Sequence, residues 1–216
     1  MKSFNKTFRI GLCLMLFSAV SIANTQNLIT SFDGFKWGTN VSEIRNKLGI
    51  QEFRISSKKF SMFTNYITYT ERQGDIGGFK VARTTFGFPT NCYSSKDCVL
   101  EYGVYTLDSN NNNTFNKISS VLVNKYGKPI ENHRVESLET FNGIQEIEVV
   151  ELVFMQSNGS SVTLEKEIAK IDFITTNSYD GLFDSYKKGI NYIKVIYSSP
   201  EFNLKNFPKQ ENSRDF

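Results

Sequence analysis

The sequence predicts an α+β fold in which antiparallel sheet packs against two short helices. Two segments place apolar residues at helical spacing and end at glycine, whereas most of the remaining chain is rich in β-branched and aromatic residues, as strands are. The order is helix, three or four strands, helix, about four strands. This order predicts a single domain at residues 24–207 that contains two similar helix-plus-four-strand halves, at 32–108 and 109–200.

The first helix is predicted from a short, well-delimited segment. Three apolar residues fall on one face at helical spacing, namely Val41, Ile44 and Leu48. Asn40 before this stripe can accept a hydrogen bond from the helix backbone, and Glu43 three residues later can reach back to it as in a capping box. Gly49 supplies the left-handed residue with which many helices end.

The second helix is predicted from about Thr114 to Gly127. Its apolar stripe is formed by Phe115, Ile118, Leu122 and Tyr126. Gly127 ends the helix and Pro129 prevents it from restarting. The preceding polar residues 108–114 are interpreted as a connector that caps this helix, because Asn113 stands where a calcium-binding EF-hand loop needs glycine.

Seven segments have the composition of strands. They are residues 60–70, 79–88, 99–107, 145–154, 161–165, 168–175 and 190–198. Turn sequences at 73–75, 142–143 and 158–159 separate several of them. A further short helix at 180–188 is weakly indicated by the glycine that follows it.

The amino terminus has the pattern of a cleavable secretory signal at residues 1–23. Three cationic residues, Lys2, Lys6 and Arg9, precede a short apolar run that closes on Ser21, Ile22 and Ala23. The run is too short to cross a bilayer, so the pattern predicts a mature chain that starts near Asn24, has no transmembrane segment and resides in the periplasm or outside the cell. The last residues, 208–216, are predicted to be disordered.

Removal of this signal changes the charge balance. The full chain has 25 Lys and Arg residues against 22 Asp and Glu residues, and the three cationic residues of the signal account for the difference. The mature chain is therefore nearly neutral and shows no Lys/Arg cluster, which argues against a nucleic-acid partner. We expect no cofactor and no metal, and the predicted partner is another protein.

The cysteine count falls from an odd three to an even two when the signal is removed, since Cys13 lies within it. In an oxidising compartment, Cys92 and Cys98 are predicted to form a disulfide. A redox-active pair is the alternative, although such pairs favour a tighter C-x-x-C spacing. A metal site is less favoured, because no further Cys is available and His133 is remote in sequence.

One motif carries a resemblance to known proteins. Residues 32–44 run FDGFKWGTNVSEI, so that Trp37 and Gly38 form a turn that leads into a capped helix, and this helix ends Lys-Leu-Gly at Gly49. The second helix ends similarly, in KYGKP around Gly127. The pattern resembles exported bacterial modules such as the small lipoprotein of the outer-membrane barrel-assembly machinery and the β-lactamase-inhibitory proteins. The resemblance implies a helix-plus-antiparallel-sheet unit that acts by protein contact.

The usual catalytic motifs are missing from the sequence. No G-x-S-x-G or H-E-x-x-H pattern occurs, and the single histidine, His133, is interpreted as a surface residue. Paired carboxylates could still serve a hydrolase. Glu146 and Glu148 are predicted on one face of a strand and Glu151 on the other, and all three are interpreted as the solvated side of a sheet.

Aromatic residues make up 14% of the chain. Most are expected in the core, but tyrosine is also enriched at protein interfaces, so Tyr93, Tyr102 and Tyr105 are candidates for either role. The sequence thus favours an exported, non-catalytic protein-binding module, such as an inhibitor, an immunity-type protein or an envelope accessory factor. A carboxylate-based hydrolase and a small-ligand carrier are the alternatives.

Overall fold

A computed structural model describes residues 28–49, 65–69, 74–89, 98–140, 142–175 and 184–206, with the backbone alone at 65–69 and 184. The predicted signal at 1–23 and tail at 208–216 lie outside these residues. The helices are α1 (Val41–Leu48), α2 (Asn112–Tyr126) and α3 (Pro200–Asn206). The strands are β1 (Ser31–Phe32), β2 (Phe35–Lys36), β3 (Asn65–Tyr69), β4 (Gly74–Ile76), β5 (Phe79–Phe88), β6 (Tyr102–Leu107), β7 (Ile130–Thr140), β8 (Gly143–Met155), β9 (Ser161–Ala169), β10 (Phe173–Thr175), β11 (Asp184–Tyr186) and β12 (Gly189–Ser198).

Ten of the described strands form one antiparallel sheet. Its order is β11-β10-β7-β8-β9-β12-β6-β5-β3, and β4 pairs with the beginning of β5. β1 and β2 form a small hairpin of their own. The predicted α+β class with antiparallel sheet is therefore confirmed. Strands from residues 32–108 and strands from 109–200 occupy opposite ends of the sheet and meet where β6 pairs with β12, and a duplication of the two halves stays a prediction.

Helix α1 forms where the sequence predicts it. The Asn40 side chain accepts a hydrogen bond from the Ser42 amide at 2.8 Å, and Gly49 ends the helix in the left-handed conformation with φ 69°. Val41 and Ile44 are fully buried in an aromatic cluster with Phe32, Phe35 and Phe86. The helix thus packs against the β1–β2 hairpin and strand β5.

Helix α2 begins two residues before the predicted start. The Asn111 side chain accepts from the Thr114 amide at 2.9 Å, which satisfies one of the backbone donors that a helix start exposes. The four residues of the predicted stripe are all buried against the sheet. At the other end, the Gly127 amide donates to the Val123 carbonyl at 2.9 Å, so the predicted stop is confirmed.

Three expectations about local structure are wrong. A third helix, α3, is present because Ser199 caps it, accepting from the Phe202 amide at 3.1 Å, and Pro200 occupies the first helical position. The helix expected at 180–188 is contradicted where it is described, since Asp184–Tyr186 is a strand. Segments 161–165 and 168–175 are divided differently, because β9 continues to Ala169.

The sheet presents two chemically different faces around β8, β9 and β12. Leu152, Leu164 and Val195 are aligned across these strands and lie under α2. One residue away, Glu151, Glu165 and Lys194 are aligned in the same way on the opposite face. Because side chains alternate along a strand, one apolar row and one charged row stand back to back.

Candidate functional site

Part of strand β7 has no neighbouring strand on one side among the described residues. It pairs with β8 along its whole length, from Ile130 opposite Val153 to Thr140 opposite Gly143. On its other side, the described part of β10 meets it only where Thr175 pairs with Thr140. We call residues 130–135 the β7 edge. In the structure as described, this segment has a neighbouring strand on one side alone.

The orientation of the backbone along the β7 edge follows from one hydrogen bond. The Thr175 hydroxyl donates to the Glu139 carbonyl at 3.1 Å, so that carbonyl points away from β8. In an antiparallel pair, alternate residues direct both backbone groups to the same side. Glu131, His133 and Val135 therefore direct their amides and carbonyls outward. Such a row of outward groups is a template for pairing with another chain.

The side chains at the β7 edge combine apolar and acidic groups. Ile130 and Val135 are 59% and 58% exposed, and Ile144 on the neighbouring strand is 69% exposed. Glu131 and Glu139 are exposed as well. His133 is also exposed, as predicted, and its Nδ1 lies 3.3 Å from the Glu148 carboxylate. Apolar and acidic side chains are thus interleaved on this surface.

A group of six charged residues lies beside the β7 edge, on the face opposite α2. We call it the ion network; it consists of Arg134, Glu136, Glu151, Glu165, Glu167 and Lys194. Arg134 Nε lies 2.8 Å from Glu136, its Nη2 lies 3.2 Å from Glu165, and it also contacts Glu151. These contacts attach β7 to β8 and β9.

Lys194 completes the ion network from β12. Its Nζ lies 3.1 Å from Glu165 and also contacts Glu167. The side chains of Glu165, Glu167 and Lys194 are 8%, 10% and 17% exposed, so these ions are largely removed from water. Buried ions need such partners because their desolvation is costly. The network therefore holds four strands, β7, β8, β9 and β12, in one register.

The carboxylates of the ion network differ in their electrostatics. Burial favours a raised pKa for Glu165, but the Lys194 and Arg134 cations outweigh it and lower the pKa below the ordinary value. Burial also raises the pKa of Glu167 and of Glu151, and there it prevails over the cations, helped by the nearby charge of Glu165. Glu165 is thus the carboxylate that the network holds ionised.

The cations have the opposite response. Burial alone would lower the pKa of Lys194, but the Glu167 and Glu165 carboxylates raise it above its ordinary value. The pKa of Arg134 is raised in the same way by Glu136, Glu151 and Glu165. Both cations are therefore permanently charged at neutral pH. The two cations bind four carboxylates and thereby fix the register of the strands. The hydrolase alternative stays an untested prediction.

Replacing Glu151 by Gln tests the electrostatics of the ion network. Because the pKa of Glu151 is raised, its contribution to stability is present below the ordinary pKa and is lost as pH rises through the folded-state pKa. We expect E151Q to change the free energy of unfolding by less than about 1 kcal/mol at neutral pH. As pH rises through the folded-state pKa of Glu151, the stability of E151Q relative to the wild type should increase. Urea unfolding between pH 4 and 8 measures this.

The matched control is E146Q, on the same strand but exposed on the other face. Its free energy of unfolding at neutral pH should lie within about 0.5 kcal/mol of the wild type, as for other surface substitutions. A loss of several kcal/mol in E151Q at neutral pH would contradict the pKa directions given for the network.

The structure separates the predicted interface tyrosines. Tyr102 is 2% exposed and packs 5.1 Å from the ring of Phe202, so it is core and its candidacy as an interface residue is wrong. Its strand packs against α3, a helix that the sequence analysis did not predict. Tyr105 is half-buried and its hydroxyl donates to Asp33 Oδ1 at 3.1 Å. Tyr93 lies outside the described residues.

The structure describes one of the two cysteines of the predicted disulfide. Cys98 is disulfide-bonded and 1% exposed, in the aromatic cluster that covers α1. Cys92 lies outside the described residues, so its pairing with Cys98 stays a prediction.

The predicted Trp-Gly motif has a structural role. The Trp37 indole Nε1 donates to the Ile29 carbonyl at 3.0 Å, and the Gly38 amide donates to the Leu100 carbonyl at 2.9 Å. Trp37 packs against both the cluster under α2 and the cluster that holds α1. With Asn40 at the start of α1 and Gly49 at its end, this turn fixes the entry and exit of the helix, and Glu43 lies in its first turn.

Sequence reasoning missed most of the candidate site. It identified Glu151 but interpreted it as solvated, which is wrong, since its side chain is 15% exposed within the ion network. A signal was available, because Lys194 interrupts the apolar run of residues 190–198. A cation inside a central strand has to meet buried anions. The two carboxylates at 165 and 167, spaced by two, are the matching anions.

The fold and site define a mixed α+β protein built on one large antiparallel sheet. Comparison of the chain with known protein families, with curated proteins and with solved structures gives no match. Within the described ranges, no group of three or more His, Cys, Asp and Glu residues is arranged to hold a metal ion. The helices described are all too short or too polar to cross a membrane.

Proposed function

We propose that the chain is an exported, non-catalytic protein that binds another protein through the β7 edge and the exposed side chains around it. The observation that carries the proposal is the β7 edge itself, because Ile130 and Val135 are exposed beside backbone groups that none of the described strands pairs. Natural proteins usually cover or shorten such edges, and long open ones serve association.

The export signal and the ion network support this proposal. A secretory signal at residues 1–23 places the mature chain in the periplasm or outside the cell. Arg134 fixes β7 from the far face through three carboxylates, so the strand is held in a pairing-ready conformation before any partner arrives. Preorganisation of this kind lowers the entropy cost of association.

Site-specific crosslinking tests the proposal in the cells that make the protein. A photoreactive amino acid is placed at Val135 on the β7 edge, and in a control variant at Val121, which is similarly exposed on α2. We expect one discrete adduct with another protein from position 135 and none from 121, detected by denaturing electrophoresis and mass spectrometry.

Two outcomes would contradict the proposal. Adducts of equal yield from both positions would indicate non-specific collision, and an absence of adducts from 135 would show that this surface has no protein partner. The unfolding curves of both variants should match the wild type, because both side chains are on the surface.

A further inference from the structure

We propose that the β7 edge accepts an extended segment of the partner as an added strand. The segment carries a Lys or Arg beside Glu131 and an aliphatic residue four positions away, beside Val135. This inference rests on the proposed function and specifies the chemistry of the bound segment. It follows from the backbone, the charges and the spacing of the β7 edge.

The backbone of the β7 edge supplies the first argument. Glu131, His133 and Val135 each direct an amide and a carbonyl outward, which gives three donors and three acceptors in a straight row. None of the described strands occupies this side of residues 130–135, so an added strand can satisfy all of them there. In strand addition the backbone hydrogen bonds provide affinity while the side chains provide specificity.

Charge complementarity supplies the second argument. β7 carries three carboxylates, Glu131, Glu136 and Glu139, and one arginine, Arg134. That arginine is already bound by Glu136, Glu151 and Glu165. Glu131 is exposed, and none of the described cations lies within ion-pair distance of it. The charge available to a partner along this edge is therefore negative.

Spacing supplies the third argument. Glu131 and Val135 lie on the same face of β7, four residues or about 13 Å apart along a strand. An added strand has the same repeat, so its cationic and aliphatic residues must also be four positions apart. Cross-strand ion pairs and aliphatic pairs in such a register are both favourable.

A second copy of the chain fits this edge less well. If two β7 edges pair in antiparallel fashion about His133, Glu131 of each copy lies opposite Val135 of the other. This pairing gives Glu131 no cation and Val135 no aliphatic partner, whereas a cationic segment of suitable spacing supplies both. The edge therefore favours a cationic segment from a different protein.

The experiment uses the folded mature protein and synthetic peptides. The probe is a nine-residue alternating peptide with Lys and Val four positions apart, and the controls replace its Lys by Glu or methylate its backbone amides. Binding is measured by fluorescence anisotropy at low salt. We expect the Lys peptide to bind about fivefold more tightly than the Glu peptide, because it exchanges a repulsion for a surface ion pair. We expect the methylated peptide not to bind.

Amide hydrogen exchange identifies the binding mode. With the Lys peptide bound, the amides of Glu131, His133 and Val135 should exchange at least tenfold more slowly. Those of Asn132 and Arg134, which face β8, should be unchanged. The variant E131K should reverse the preference between the Lys and Glu peptides, whereas E146K, on β8, should leave it unaltered.

The outcomes separate this inference from the proposed function. Loss of peptide binding, binding without the alternating protection, or an unchanged preference in E131K would each overturn strand addition. If crosslinking at Val135 still captures a partner in those cases, the protein-binding function stands and its partner docks by side-chain contacts. Self-association of the protein with the same alternating protection would also overturn it, in favour of a dimer.

Discussion

Replacing Lys194 by Met is expected to lower the free energy of unfolding at neutral pH by about 3–5 kcal/mol, the usual cost of removing one partner from a buried ion pair. The side chain of Lys194 is 17% exposed, and its ammonium lies 3.1 Å from Glu165 and in contact with Glu167. Without it, both carboxylates stay buried, and Glu165 keeps Arg134 as its one remaining cation among the described contacts. Urea or thermal unfolding measures the loss.

The loss of stability in K194M is expected to change with pH in a definite direction. In the wild type the pKa of Lys194 is raised, so its contribution is fully present below the ordinary lysine pKa and is lost as pH rises through the folded-state value. In K194M the pKa values of Glu165 and Glu167 should both rise, because their cation is gone. Protonation then relieves the buried charge, and the difference from the wild type should shrink as pH falls from 7 towards 4.

The control for K194M is K80M. Lys80 forms a surface ion pair with Asp108 at 3.2 Å and its side chain is 73% exposed. Such pairs contribute about 0–1 kcal/mol, so K80M should be close to the wild type. Equal losses in the two variants, or a K194M deficit that grows towards acid pH, would show that the ion network does not act as described.

The helices and central strands could be predicted from sequence because their signals are local. Asn40 and Gly49 delimit α1 with caps that depend on neighbouring backbone groups alone, and the stripe of α2 is a property of one helix. Strands such as β5 are similarly marked by their own composition, and β5 was predicted with its observed bounds, Phe79–Phe88.

Strand β7 could not be predicted in this way. Its sequence has polar residues on both faces because one face binds the ion network and the other is exposed, so neither apolar alternation nor enrichment in β-branched residues marks it. Arg134 is the cation of β7 in the ion network. Glu165 and Lys194 of the same network lie 31 and 60 residues beyond it along the chain. Only the registers of β7 with β8, β8 with β9 and β9 with β12 bring these charges together.

The second large effect on stability is expected at a core contact between a glycine and an aromatic ring. Gly103 on β6 lies directly under the ring of Phe32, and a Cβ added there would be 2.1 Å from Phe32 Cδ1. Phe32 is 2% exposed and its ring centroid lies 4.6 Å from that of Tyr105 and 5.3 Å from that of Phe86. The small residue is therefore required by the ring that covers it.

A double-mutant cycle tests this contact. F32A alone should lower the free energy of unfolding by about 3–5 kcal/mol, the usual cost of removing a buried Phe. G103A alone should cost about 1–3 kcal/mol because the ring must move. In the F32A background the new methyl group enters vacated space, so G103A should cost almost nothing there.

The coupling between the two substitutions, measured by urea unfolding of all four proteins, should therefore be about 1–3 kcal/mol in favour of the double variant. G74A serves as the control for the substitution itself, because a Cβ at Gly74 meets nothing within 4 Å. Additive losses in F32A and G103A would mean that the ring is not what excludes a side chain at position 103. A positive coupling would establish that β6 approaches the β1–β2 hairpin as closely as the structure shows, and that this approach depends on glycine.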